Sequence, residues 1–391
     1  VSAAEIERTR TGQESEALIS ATEHQARARV ALSAALAGEP SHAYLFRGPR
    51  GSGKRAAARA FAAEVLAAAS EDPGDARRRA LLDPSPHPDL VWLAPTGAQH
   101  MVEEVRERVI RAAAYRPFEG GKRVFVVEAA EAMRDESQNA LLKTLEEPPE
   151  FVHLILLSSD NEGLLDTVAS RCQVVDFAPL PAEVLERELA DGTKIPPYGG
   201  ESSRQPEEVA AAARLAAGDL ERARLLLGPQ GRELRADVEQ CVAAALEGRC
   251  AGAPWKGLLD RAKAAGDDAE AAAREALEEE SKAGIKRSAK DIADGAKRAG
   301  RRRRTEILTL AFELCATWLR DLAAVASGAE EVVFNRDRLD VLRSQAQGLD
   351  AAAARQGAAL VQETRRGLDL NVSEELALEA LFFRLESLLL V

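Results

Sequence analysis

Five short apolar runs alternate with segments of helical periodicity: Ala43 to Phe46, Leu90 to Leu93, Val124 to Val127, Leu154 to Leu157 and Val174 to Phe177. None shows the apolar/polar alternation of a half-solvated strand, so each suits a strand buried on both faces. Parallel strands need a long crossover back to the same edge of a sheet, and intervening helices supply it while covering both faces. The first part of the chain is therefore expected to be an α/β domain with a parallel sheet. The pattern stops after Phe177. Pro179-Leu180-Pro181 interrupts the chain, and Ala182 to Leu189 reads as a helix entered through a proline in its first turn. Asp191 to Pro206 is polar, a helix follows through Leu215, and Gly218-Asp219 turns into Leu220 to Leu227. From about residue 231 the periodicity is helical to the end, with a highly charged stretch from Asp267 to Arg304.

Charge and cysteine content narrow the classes of function. A net charge of -12 over 391 residues excludes a protein that coats phosphates with its whole surface, so any nucleic-acid contact must be local. The four cysteines, Cys172, Cys241, Cys250 and Cys315, form no C-x-x-C pair, so neither a zinc site nor a disulfide framework is expected. A reduced, cytoplasmic setting fits that usage. Val1 to Ile19 carries both signs of charge and does not read as a signal peptide. The apolar tail Leu376 to Val391 is broken by Glu379, Arg384 and Glu386 and cannot span a bilayer, so no membrane association is expected.

Gly48-Pro49-Arg50-Gly51-Ser52-Gly53-Lys54 follows the first strand and opens a helix, the context a phosphate-binding loop requires. Gly48, Gly51 and Gly53 let the backbone turn so that successive N–H groups converge on an anion, and Lys54 would reach the outer phosphates. The next position normally offers a hydroxyl to Mg²⁺; here it is Arg55, which has donors only and cannot ligate a cation. The third apolar run ends in Glu128-Ala129 where a P-loop ATPase has an Asp that holds the metal, usually followed by a Glu that orients water. Glu128 could hold a metal in a displaced geometry, Ala129 leaves no base, and Glu131 is expected on a helix surface. No cofactor is required by this reading. The loop either holds ATP or phosphate weakly or is purely structural.

Gln138-Asn139-Ala140-Leu141-Leu142-Lys143-Thr144-Leu145-Glu146-Glu147-Pro148-Pro149, with Ser170-Arg171-Cys172 about twenty residues later, resembles the bacterial clamp-loader branch of the AAA+ proteins. The resemblance covers residues 21–230 closely and the remainder loosely, including a last helix that begins near Asn371-Val372-Ser373. It implies an α/β P-loop AAA+ domain with a parallel sheet, a small helical lid and an all-α C-terminal collar. The corresponding boundaries are a leader over 1–20, the α/β domain over 21–178, the lid over 179–230 and the oligomerising collar over 231–391. Within the branch, the degraded nucleotide site points to an accessory, non-hydrolysing subunit of the DNA polymerase III loader. Its implied partners are gamma/tau-type ATPase subunits and the delta subunit, with the sliding clamp and primer–template DNA engaged through the assembly.

The resemblance also assigns roles. Arg171, flanked by Ser170 and Cys172, maps onto an arginine that reaches a neighbouring subunit's γ-phosphate, the alternative being an arginine that ties helix ends within its own domain. Ser158, Ser159 and Asp160 sit where the family has a polar sensor of nucleotide state. The second sensor arginine is displaced, since Gly218-Asp219-Leu220-Glu221 stands at its pattern and Arg222 is one position late. Ser70 to Pro86 contains no cysteine where many members carry a four-cysteine zinc module, so a loop is expected there, with His87 a turn residue. Arg301 to Arg304 reads as a solvated helix face or a DNA-phosphate contact, and Lys143 as a weaker phosphate contact. Two competing functions remain: a gamma/tau-type ATPase using Lys54 and Glu128, and an interaction scaffold without the arginine's trans role.

Overall fold

The computed structural model describes residues 15–95, 99–159, 163–190, 205–282, 288–368 and 373–390. The chain divides into two compact units, Val1–Leu180 and Pro181–Val391. In the first, helices α1 (Glu16–Ala21) and α2 (Ala26–Ala37) precede β1 (Ala43–Arg47), α3 (Lys54–Ala68) and α4 (Pro73–Leu81). Then come β2 (Leu90–Leu93), α5 (Val102–Val105) running into a π-helical turn, β3 (Arg123–Val127), α6 (Asp135–Glu146), β4 (Val152–Ser158), α7 (Asp166–Ala169) and β5 (Gln173–Asp176). The five strands form one sheet in the order β2-β3-β4-β1-β5, with every neighbouring pair parallel.

Both faces of the central strands are dry, as unbroken apolar runs require. Tyr44, Phe46, Val124, Val126 and Ile155 meet α3 around Phe61 on one face. Leu45, Phe125, Val127, Leu154 and Leu156 meet Leu141 and Leu145 of α6 on the other. The period of two along each strand sorts neighbouring residues to opposite sides. Burying each large side chain here contributes roughly 1.5–3 kcal/mol. Edge position overrides the run in β5, where Val174 is 41% exposed although its segment reads as fully buried.

Several boundaries differ from expectation. The leader, expected to begin docking at Ala17 to Ile19, is already helical from Glu16: residues 16–20 lie in α1, whose Leu18 is buried in the core and whose Ser15 cap accepts from the Leu18 N–H. The segment after the P-loop helix is not a loop but α4, started by Asp72 as N-cap with Pro73 in the first turn. Its Ala76 and Ala80 are buried, and Arg77 pairs with Glu64 of α3 at 2.6 Å. The lid/collar boundary at 230 falls inside a helix, because Pro229 starts that helix rather than ending the one before.

The second unit is helical throughout its described residues: α8 (Ala182–Ala190), α9 (Pro206–Leu215), α10 (Leu220–Leu227), α11 (Pro229–Leu246), α12 (Lys256–Lys282), α13 (Ala289–Ala326), α14 (Leu339–Gln345), α15 (Ala351–Leu368) and α16 (Glu374–Leu389), with short 3-10 turns between. Of the charged stretch from Asp267 to Arg304, residues 267–282 lie in α12 and 289–304 in α13. These two helices touch backbone to backbone: a Cβ on Gly266 would lie 2.9 Å from the Gly300 carbonyl oxygen, and one on Gly300 2.8 Å from that of Gly266. Arg302 and Arg303 pair with Glu306, and Arg304 pairs with Glu374. The apolar stripe of α16 serves the unit's own core, with Leu378, Leu381, Phe382, Leu385 and Leu389 buried and Trp255 stacked on Phe382. Leu376 and Phe383 are left at the surface. Residues 371–372, part of the expected last-helix signature, lie outside the described residues.

A buried polar knot fixes the turn after α13. Asp321, 2% exposed, accepts from the Phe334 and Asn335 backbone N–H groups and from the Asn335 amide at 2.8–3.0 Å. Arg235 donates to Asn335 and to Asp337. Asp321→Ala leaves two buried backbone donors without acceptors, each costing about 1–3 kcal/mol. Urea unfolding of the full chain is expected to show a loss of about 2–6 kcal/mol in the helical unit's transition.

Candidate functional site

Parallel strands bring their C-terminal ends to one edge, so the segments leaving β1, β3, β4 and β5 converge there. Gly48 leaves β1 with φ of +152°, and a Cβ on it would lie 2.1 Å from the Phe177 carbonyl oxygen at the exit of β5. Only glycine permits that approach. Gln25 fastens the same junction: its amide nitrogen donates to the Ser52 and Ala178 carbonyls at 3.0 and 2.8 Å, and its oxygen accepts from the Ala178 N–H. Gly51 and Gly53 hold φ of +69° and +89°, which opens α3 directly at Lys54.

Lys54 is 8% exposed, and its ammonium is folded onto its own loop, donating to the Gly48 and Pro49 carbonyls at 2.5 and 2.6 Å. Arg55, beside it, lies with Nε 2.9 Å from Glu128 Oε1 and Nη2 3.0 Å from Asp83 Oδ2. The same Glu128 oxygen accepts from the Trp92 indole at 2.5 Å. Arg59 completes the cluster, pairing with Asp83 at 2.9 Å and lying 4.3 Å from the Trp92 ring centroid; burial lowers its pKa. A guanidinium thus sits against the carboxylate that a divalent cation would need. That donor set does not fit Mg²⁺: one ligand position is a cation, and the acid is already neutralised.

The sensor-like serines are engaged as well. Ser158, the end of β4, is buried, and its carbonyl accepts from the Gly48 N–H. Ser159 donates through its hydroxyl and backbone N–H to Glu131 Oε1 at 2.5 and 3.2 Å. Glu131 is therefore not a helix-surface residue; it lies in a 3-10 turn (Ala130–Ala132) entered through Ala129 at φ of +48°. Asp160 lies outside the described residues. Arg222, the displaced second-sensor candidate, belongs to the helical unit and pairs with Glu313 of α13.

Arg171 lies elsewhere. It precedes β5, and the register pairing Tyr44 with Gln173 puts it beside the start of β1. Gly48 follows Arg47, which pairs with Asp176, so about six residues of strand rise separate the two, on the order of 20 Å. The Arg171 guanidinium is exposed, donating from Nη1 to the Thr167 carbonyl at 2.8 Å and pairing through Nη2 with Glu146 Oε1 at 2.6 Å. Ser170 is exposed and donates to the Thr167 carbonyl. Cys172 turns inward against the α6 side of the core.

Sequence reading missed Gln25, Trp92, Arg59, Asp83 and Glu146. Glu146 stands in the quoted 138–149 string, but nothing in the string gives it a role, and no local motif marks the other four; each acts on a partner that folding brings near. His87, by contrast, is the turn residue expected: its Nδ1 accepts from the Asp89 N–H. The buried Asp89 carboxylate then holds the Phe118 and Glu119 N–H groups.

The parallel sheet and the glycine loop between β1 and α3 define the first unit as an α/β domain of the P-loop class. Residues 24–181 match the family described as DNA polymerase III, delta subunit. The DNA polymerase III subunit delta-prime of Pseudomonas aeruginosa is 37% identical over 227 residues, which cover 55% of this chain and 64% of that protein. The delta-prime subunit of Bacillus subtilis is 30% identical over 184 residues, 46% of this chain and 55% of that protein. A gamma subunit-related protein of DNA polymerase III from Thermotoga maritima has a TM-score of 0.42 and 15% identity, over 92% of this chain and 99% of that chain. The chain spans less than two thirds of the length of these delta-prime relatives.

Burial pushes the Cys172 thiol up to about 12 and also raises Cys241, Cys250 and Cys315. At pH 8 almost no Cys172 thiolate is present, so a thiol reagent such as 5,5′-dithiobis(2-nitrobenzoate) is expected to react with it far more slowly than with a free thiol. In guanidinium chloride all four should react. Rapid native labelling of Cys172 would refute a packing role for it.

Proposed function

We propose that this chain is an accessory, non-hydrolysing subunit of a DNA polymerase III clamp loader that lends Arg171 to the nucleotide site of an adjoining ATPase subunit. The observation that carries the reading is the placement of Arg171. It is exposed at the edge where strands begin, out of reach of the chain's own P-loop at the edge where they end. A delocalised cation with fixed donors suits the spreading charge of phosphoryl transfer, and a site in another chain is the one it can reach.

The partners in this reading are gamma/tau-type ATPase subunits and the delta subunit, with clamp and primer–template DNA engaged by the assembly as a whole. The chain's own P-loop serves as scaffold: Lys54 braces the loop, Arg55 takes the place of a cation against Glu128, and no metal or nucleotide is required. In this reading the protein works in DNA replication in the cytoplasm. Among the described residues no helix is long and apolar enough to cross a membrane.

In a reconstituted loader, Arg171→Ala is expected to leave assembly intact and to lower hydrolysis at the adjoining site by about 10³- to 10⁵-fold. The bulk rate falls less if other sites hydrolyse independently. Arg171→Lys should rescue poorly, because a point charge lacks the planar fork. Equal rates for wild-type and Arg171→Ala loaders, at equal assembly, would leave the chain a scaffold.

The isolated chain is expected to show no magnesium-dependent ATP turnover. Arg55→Thr alone should not create it, since Glu128 keeps its bond to Trp92 and Ala129 offers no base. Turnover that disappears with Lys54→Ala would instead identify a self-sufficient ATPase.

A further inference from the structure

We propose that Glu146 is the positioning residue for Arg171, holding its guanidinium in the direction from which it acts on a neighbouring chain. The inference rests on the trans role proposed above and adds to it the device that aims the arginine.

The geometry of α6 makes Glu146 unusual. It is the last residue of the helix, with Glu147 as C-cap and Pro148-Pro149 preventing continuation. The carbonyls at this end carry partial negative charge, so a carboxylate is locally unfavourable there and a basic side chain would be preferred. One of those carbonyls, that of Leu145, is contacted by His42 Nε2 at 3.1 Å. The cation that offsets Glu146 comes from elsewhere in the chain: Arg171, 2.6 Å away. The helix dipole therefore disfavours an acid at 146, and the contact with Arg171 offsets that cost.

The contact also has the form of an aiming device. An exposed arginine has four side-chain torsions and many rotamers, and a lone surface guanidinium would sample them widely. Here two acceptors from two different elements hold it. The Thr167 carbonyl of α7 takes Nη1, and the Glu146 carboxylate of α6 takes Nη2. Two contacts do not exhaust five N–H donors, so the group retains the capacity to bind an incoming phosphate oxygen. Both partners are rooted in helices packed on the sheet, since Val168 of α7 and Leu145 of α6 lie in the same core cluster. At 36% and 49% side-chain exposure the ion pair is weakly stabilising, which suits an orienting contact that must yield part of the guanidinium to a new ligand.

The test uses the full chain in a reconstituted loader with its ATPase partners. A misplacement of about 1 Å in a catalytic group costs about 10²-fold, so Glu146→Ala should lower the Arg171-dependent part of the loader's ATP turnover by about 10- to 100-fold. KM should be unchanged, because Glu146 does not touch nucleotide. Glu146→Asp should recover part of the loss. The double variant Glu146→Ala/Arg171→Ala should be no slower than Arg171→Ala alone, since Glu146 acts through Arg171. On the isolated chain, phenylglyoxal modification of Arg171, followed by peptide mass spectrometry, should run about two- to fivefold faster in Glu146→Ala, the factor an exposed ion pair supports. Circular dichroism checks folding, and Glu146→Gln serves if Glu146→Ala is unstable. Unchanged or raised kcat in Glu146→Ala, with Arg171→Ala still slow, overturns the positioning role and leaves the trans arginine intact. An Arg171→Ala loader as fast as wild type removes both.

Discussion

An all-parallel sheet has two unlike edges, and everything functional in the α/β unit depends on that difference. Strands that run the same way gather their exits on one side and their entrances on the other, separated by the length of the strands. Gly48, Glu128, Ser158 and Phe177 are brought together because each ends or follows a strand; Ser41, His42 and Arg171 are brought together because each precedes one. The order β2-β3-β4-β1-β5 then decides which exits touch. β1 lies between β4 and β5, so the P-loop is hemmed by the Ser158 carbonyl on one side and by Phe177 on the other.

At the exit edge, charge that could have held a cation is balanced within the chain. Glu128 accepts from Trp92 and pairs with Arg55, Arg55 pairs also with Asp83, and Asp83 pairs with Arg59. Buried or half-buried charges persist only when paired, and this chain of pairs meets that requirement without a metal. Lys54 is drawn onto its own loop in the same way. At the entrance edge the balance is looser. Arg171 and Glu146 form one part-exposed pair rather than a linked series of pairs, and it can exchange partners at little cost. The proposed division of labour follows that contrast: a braced edge that carries the fold and a yielding edge that meets another chain.

Much of this was legible in the residues. The five apolar runs match the five strands to within one or two residues, although only the central ones are buried on both faces: the run shows a strand, not that it lies inside the sheet. The P-loop was legible from its glycines, and Arg55 was legible as a residue that cannot bind a cation. Glu131 was not. It reads as a helix-surface acid, but Ala129 in the left-handed region turns the chain so that its carboxylate meets Ser159. The α16 stripe was ambiguous for a different reason: periodicity shows that a helix has an apolar face, and says nothing about whether that face is covered by its own chain.

The sequence by itself therefore determined the local grammar: parallel α/β followed by all-α, a phosphate-binding loop with an unsuitable metal position, and a surface arginine in a serine-arginine-cysteine string. Those properties depend on residue chemistry and short-range spacing. Tertiary structure alone decided the pairings across the sheet: that Arg55 neutralises Glu128, that Gln25 ties the P-loop to the exit of β5, and that Arg171 stands a strand's length from its own P-loop beside Glu146. Strand order is set by how the helices pack over both faces, a property of the whole unit. Which side chains become neighbours at an edge follows from that order and is written in no single segment.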